Sequence, residues 1–168
     1  MGADMFLAVH AAVGALAGNA VGHPSSALVL GLVSHFFLDM VPHGDEKLYH
    51  GFNNGQRFKP VLYVALDAAV TVILIAVFFL RQDFFSPVNV SLGVVGGLLP
   101  DLLVGLSKIF KPRKNRGLVW RLARFEQFHM RNHHFLIKRL RRLERDIPLY
   151  SGIMFQAILL FVLVKLIL

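Results

Sequence analysis

The chain has 168 residues, 55% of them hydrophobic, with a mean hydropathy of +0.59 and a net charge of +8. The apolar share of a soluble domain is about 45–50%, so this chain reads instead as a membrane domain with several long apolar runs. It has no cysteine, which excludes disulfides and thiolate ligands and leaves nitrogen and oxygen to hold any metal.

In chain order, five apolar helices are predicted, at about 5–21, 25–41, 60–80, 87–109 and 148–168. The first two are short for a hydrocarbon core of about 30 Å. The run after Met1 lacks the basic residues of a cleaved leader, so the first helix is expected to stay in the chain. Gly14, Gly18 and Gly22 recur every fourth residue on it, a ridge suited to close helix packing. Pro24, Pro60, Pro87 and Pro148 stand at or beside predicted helix starts, where a missing N–H costs little. Ser86 is placed to cap the helix that Pro87 begins. Pro42 and Pro100 lie at the tail of or inside apolar helices, so each is expected to bend its helix and free a carbonyl.

Thirteen of the eighteen Lys and Arg fall between Lys108 and Arg145. Residues 116–146 alternate basic and apolar positions at helical spacing, with Leu118, Leu122, Phe125, Leu136, Leu140 and Leu143 on the apolar side. The segment reads as an amphipathic helix on the membrane surface, in contact with anionic lipid headgroups; no nucleic acid is expected. Placing it in the cytoplasm puts sixteen of the eighteen basic residues inside and leaves Arg81 and Lys165 outside, the distribution that membrane proteins prefer. The fold expected is therefore all-α: one polytopic helical bundle over 1–168, N-terminus inside and C-terminus outside.

His35, Asp39 and His43 follow one another at four-residue steps, which share one helical face. Ionisable groups within an apolar helix are costly and mark functional sites. In the expected topology His10, Asp67, Asp101 and the segment carrying His129, His133 and His134 reach the same cytoplasmic depth, although the helices alternate in direction. Imidazoles and carboxylates together are the ligand set of Zn²⁺, Mn²⁺ or Fe²⁺, as one ion or two. His10, His35, Asp39, His43, Asp67, Asp101 and His134 are the expected ligands. Glu126, His129 and His133 share a face and could close the site and move protons, and Arg131 could hold a phosphate. Asp45 is near enough to support a ligand.

His10 with its following glycines, Ser34-His35-x3-Asp39-x2-Pro42-His43-x-Asp45, Gly97-Leu98-Leu99-Pro100-Asp101 and Phe128-His129-x3-His133-His134 follow one another along the chain. These blocks resemble those of the membrane-bound metal-dependent hydrolases of bacteria and archaea. The resemblance implies an inner-membrane protein with a divalent metal and hydrolase activity. Where relatives often follow that aspartate with a second acidic residue or a histidine, this chain has Leu102 and Leu103, which argues against a second ion there. The His-x3-Asp pattern is also locally similar to a helix of zinc-dependent phospholipase C. The function expected is metal-dependent hydrolysis of a phosphoester or ester of a lipid. The alternatives are metal or proton transport, for which intramembrane acids and histidines also serve, and a non-catalytic protein with a structural metal.

Overall fold

The structure, a computed structural model, describes residues 6–41, 43–44, 51–52, 54–110, 117–135, 139 and 147–168. Six helices are defined among them: α1 (Leu7–Asn19), α2 (Pro24–Asp39), α3 (Phe58–Arg81), α4 (Pro87–Ile109), α5 (Leu118–His133) and α6 (Leu149–Ile167). Three of these, α3, α4 and α6, are long and apolar enough to cross a membrane. The first two predicted spans are helical but stop at 13 and 16 residues, about 20 and 24 Å at 1.5 Å per residue.

The proline punctuation holds. Pro24 and Pro87 occupy first-turn positions of α2 and α4, and Pro148 immediately precedes α6. The Ser86 hydroxyl accepts from the Asn89 N–H at 3.3 Å, satisfying one donor that the first turn would otherwise leave open. Pro100 is buried within α4.

Helices α1, α2 and α4 form the centre. Most of α1 is Ala, Gly and Val and is buried on nearly every side, as expected of a helix apolar all round. Its contact with α4 is almost backbone to backbone. A Cβ on Gly14 would lie 2.8 Å from the Gly93 carbonyl carbon, and one on Gly97 would lie 2.5 Å from the His10 carbonyl oxygen. Gly31 of α2 meets Gly93 and Gly97 in the same way. Of the predicted ridge, Gly14 and Gly18 make this contact, whereas Gly22 has no neighbour within 4 Å of where its Cβ would stand.

These contacts set directions. Gly18 faces Asn89, Gly14 faces Gly93 and His10 faces Gly97, so α1 and α4 are antiparallel while α2 runs with α4. The Asn89 side chain fastens one end by donating to the Val21 carbonyl at 2.7 Å. On the outside, α3 and α6 contribute Phe78, Leu163 and Ile167 to the core. They leave Val72, Ile73, Leu80, Ile158, Phe161 and Leu166 exposed. Such an apolar outer surface on long helices suits hydrocarbon rather than water.

Helix α5 packs across the end of α4 and against α2. It buries His129 and His133 and exposes Leu118, Arg121, Arg124, Phe128 and Arg131. Leu136, Leu140 and Leu143, along with Pro42 and Asp45, lie outside the described residues.

Candidate metal centre

Helix direction decides which side chains meet. α1 enters the bundle at the end where α2 finishes, so His10, one turn inside α1, stands level with Asp39, the last residue of α2. Asp101 arrives on α4 just after Pro100. His129 descends from α5.

His35, Asp39, Asp101 and His129 each offer one ligand atom, and these four atoms lie within 4.8 Å of one another. His35 Nε2 and His129 Nε2 are 2.9 Å apart. Asp39 Oδ2 is 3.1 Å from the first and 2.9 Å from the second. Asp101 Oδ1 is 3.6 and 3.5 Å from the same two nitrogens. His35, Asp39 and His129 are fully buried, and the Asp101 side chain is 7% exposed.

The hydrogen bond at the far side of His35 determines what its near side presents. His35 Nδ1 lies 2.8 Å from the Gly97 carbonyl oxygen. A carbonyl can only accept, so Nδ1 carries the proton and the neutral ring turns the Nε2 lone pair toward the two carboxylates. Lone pairs of an imidazole and of carboxylates facing one another in a water-poor pocket repel unless a cation or added protons stand between them. A metal-ligating histidine characteristically donates its other ring N–H to such a carbonyl. The donor set, two imidazoles and two carboxylates, matches Zn²⁺, Mn²⁺ or Fe²⁺ chemistry, and the residues fit a divalent ion.

The remaining expected residues occupy several places. His10 Nε2 is 3.1 Å from Asp39 Oδ1, the oxygen turned away from His35 and His129. Its ring stacks on His35 with centroids 4.1 Å apart. His10 thus orients Asp39 and walls the pocket. The Asp67 carboxylate accepts the backbone N–H of Leu7 at 2.6 Å and of Ala8 at 3.3 Å, capping the start of α1 from a neighbouring helix. Glu126 accepts the Ser107 hydroxyl and pairs with Lys108, tying α5 to the end of α4. His43 and His133 face each other, with Nε2 atoms 3.1 Å apart. His134 Nδ1 donates to the Met130 carbonyl at 2.7 Å. Arg131 is exposed on α5.

Two contributors escape a reading of the sequence. Asn132 donates to the Phe36 carbonyl at 2.8 Å, joining α5 to α2 beside His129. The Gly97 carbonyl sets the His35 tautomer. A backbone acceptor leaves no compositional trace, and an Asn in a basic helix resembles any solvated amide; its helical alignment with the buried His129 was the available signal.

No family model matches the chain, and no curated protein or solved structure matches it significantly.

Proposed function

We propose that the chain is a membrane-embedded, metal-dependent hydrolase whose site lies at the cytoplasmic face, acting on a phosphoester or ester of a lipid or lipid-linked molecule. The observation that carries the reading is the convergence of His35, Asp39, Asp101 and His129 from three helices onto one buried point. The motif blocks that resemble the membrane-bound hydrolases contain all four.

In this reading those four side chains would hold the ion, zinc by donor type. A divalent ion held there would supply Lewis acidity and would make water at the site more acidic near neutral pH. The chain's own residues then set the conditions. His10 keeps the Asp39 carboxylate aligned, and the Gly97 carbonyl holds the proton of the neutral His35 ring on Nδ1, which leaves Nε2 as the ligand atom. Asn132 and Glu126 hold α5 so that His129 closes the pocket. Asp101, the least buried of the four, faces the direction from which substrate enters. Exposed Arg121, Arg124 and Arg131 on α5 give an anionic headgroup or phosphate its electrostatic attraction.

All five lengthwise helices would then traverse or nearly traverse the bilayer. The short α1 and α2 are central and are flanked by α3, α4 and α6, which meet the lipid. The end bearing α5 is cytoplasmic, in keeping with sixteen of eighteen basic residues on that side. Hydrolysis is favoured over transport because ionisable groups gather at one end. Residues 72–80 of α3 and 87–100 of α4 contain none, so along these two helices no ionisable group continues the site toward the other end.

The test is elemental analysis of detergent-purified protein together with turnover of phosphomonoester, phosphodiester and carboxyl ester substrates. Asp39→Ala and His129→Ala are each expected to lose one metal equivalent relative to the unaltered chain, and metal-dependent turnover with it. Metal content unchanged in both variants would overturn the reading.

A further inference from the structure

One turn beyond His129 on α5, a second pair of imidazoles repeats the geometry of the first. His133 Nε2 stands 3.1 Å from His43 Nε2, and the rings meet edge to face with centroids 4.7 Å apart. Both side chains are buried. His43 Nδ1 is 2.6 Å from the Val41 carbonyl oxygen, so Nδ1 bears the proton and the neutral ring directs its Nε2 lone pair at His133. The same construction prepares His35, whose Nδ1 faces the Gly97 carbonyl and whose Nε2 faces His129 Nε2 at 2.9 Å.

The backbone at His43 is built as firmly as its ring. Gly44 adopts a φ of +87°, a left-handed conformation that glycine takes without steric cost. Helix α6 lies so close that a Cβ on Gly152 would stand 2.5 Å from the His43 carbonyl carbon. The Gln156 amide donates to the His43 carbonyl oxygen at 3.4 Å, and the Gln156 carbonyl accepts the Phe6 N–H. An anchored ring whose far nitrogen is satisfied by a carbonyl is how proteins prepare a histidine for a metal. Two nitrogens bound at about 2.0–2.1 Å to one tetrahedral zinc lie about 3.3 Å apart, within a few tenths of an ångström of the separation here.

We propose that His43 and His133 are two ligands of a second site for a divalent cation of the zinc class, separate from the site of His35, Asp39, Asp101 and His129. The proposal rests on the reading above for the identity of its neighbour. His129 and His133 are four residues apart on α5, a rise of about 6 Å. That offset is larger than the roughly 3.5–4 Å of carboxylate-bridged metal pairs, so the two imidazole pairs would serve separate ions.

The full chain, purified in detergent, stripped with a chelator and reloaded with Zn²⁺, is expected to take up two equivalents. Reloading with Co²⁺ should give two components in the visible spectrum. His43→Asn and His133→Asn are each expected to leave one equivalent, as Asp39→Ala does at the other site. The component lost in the histidine variants should differ from that lost in Asp39→Ala. A single equivalent in the unaltered chain, lost in Asp39→Ala and kept in His133→Asn, overturns the second site and leaves the first standing. No bound metal at all overturns both. Two equivalents that persist in both histidine variants also overturn the second site. Because stoichiometry of the unaltered chain is itself decisive, the test survives a variant that does not fold.

Discussion

Asp67 stands in the middle of an apolar helix, yet both of its carboxylate oxygens receive backbone N–H groups from the first turn of α1. The first four N–H groups of a helix have no partner within it, and in an apolar setting no water replaces them. A carboxylate from a neighbouring helix satisfies two and also suits the positive end of the α1 dipole. Asp67→Ala is therefore expected to cost about 1 kcal/mol, seen as a lower thermal midpoint in detergent, while metal content stays unchanged. Loss of metal without loss of stability would instead return Asp67 to the ligand set. His35 and Asp39 need no such arbitration. Their four-residue spacing on an apolar helix is visible in the chain, and the partners they face are the ones their chemistry requires.

The contacts between elements depend on atoms that are missing. Gly14, Gly18, Gly31, Gly93 and Gly97 let α1, α2 and α4 touch along their backbones, and this closeness brings the His35 ring within reach of the Gly97 carbonyl. Gly96→Val would press a branched side chain against the carbonyl of Leu28 on α2. Overpacking of this kind costs about 1–3 kcal/mol, and here it should also weaken metal binding, because separating α4 from α2 parts Asp101 from His35. Elemental analysis beside a thermal melt would check both effects. Helix α5 is held differently, by single polar contacts. Asn132→Ala removes its donor to the Phe36 carbonyl and is expected to cost about 1 kcal/mol. Metal affinity should fall in titration against a chelator while the core remains folded; affinity equal to that of the unaltered chain would mean that His129 is held without it. The ridge of Gly14 and Gly18 can be read from its four-residue repeat. Its partner could not be named, because α4 carries Gly93, Gly96, Gly97 and Gly105 and α2 carries Gly31, and the repeat on α1 does not say which of them it meets.

For the molecule as a whole, the predicted sidedness can be tested directly because the chain contains no cysteine. Gly55 is exposed before α3, and Phe85 is exposed between α3 and α4, at opposite ends of one long apolar helix. Gly55→Cys is expected to react with a membrane-impermeant maleimide only after the inner face is opened, and Phe85→Cys from outside. Equal reactivity at both from one side would sink the topology.

The sequence by itself determined that the protein is helical, where most helices begin, and which residue types could bind a metal. Those properties follow from apolar run length, proline's missing N–H and side-chain chemistry, all of which are local. It also placed His35 and Asp39 on one face, since helical pitch requires it. Only the tertiary structure decided that His129 joins them, that His10 orients Asp39 and that Asp67 caps α1. It alone paired His43 with His133 and turned Glu126 toward Ser107 and Lys108. Each of these outcomes depends on how far one helix slides along another before glycine backbones meet. No local pattern encodes that distance, and a shift of one turn would deliver a different set of side chains to the same point.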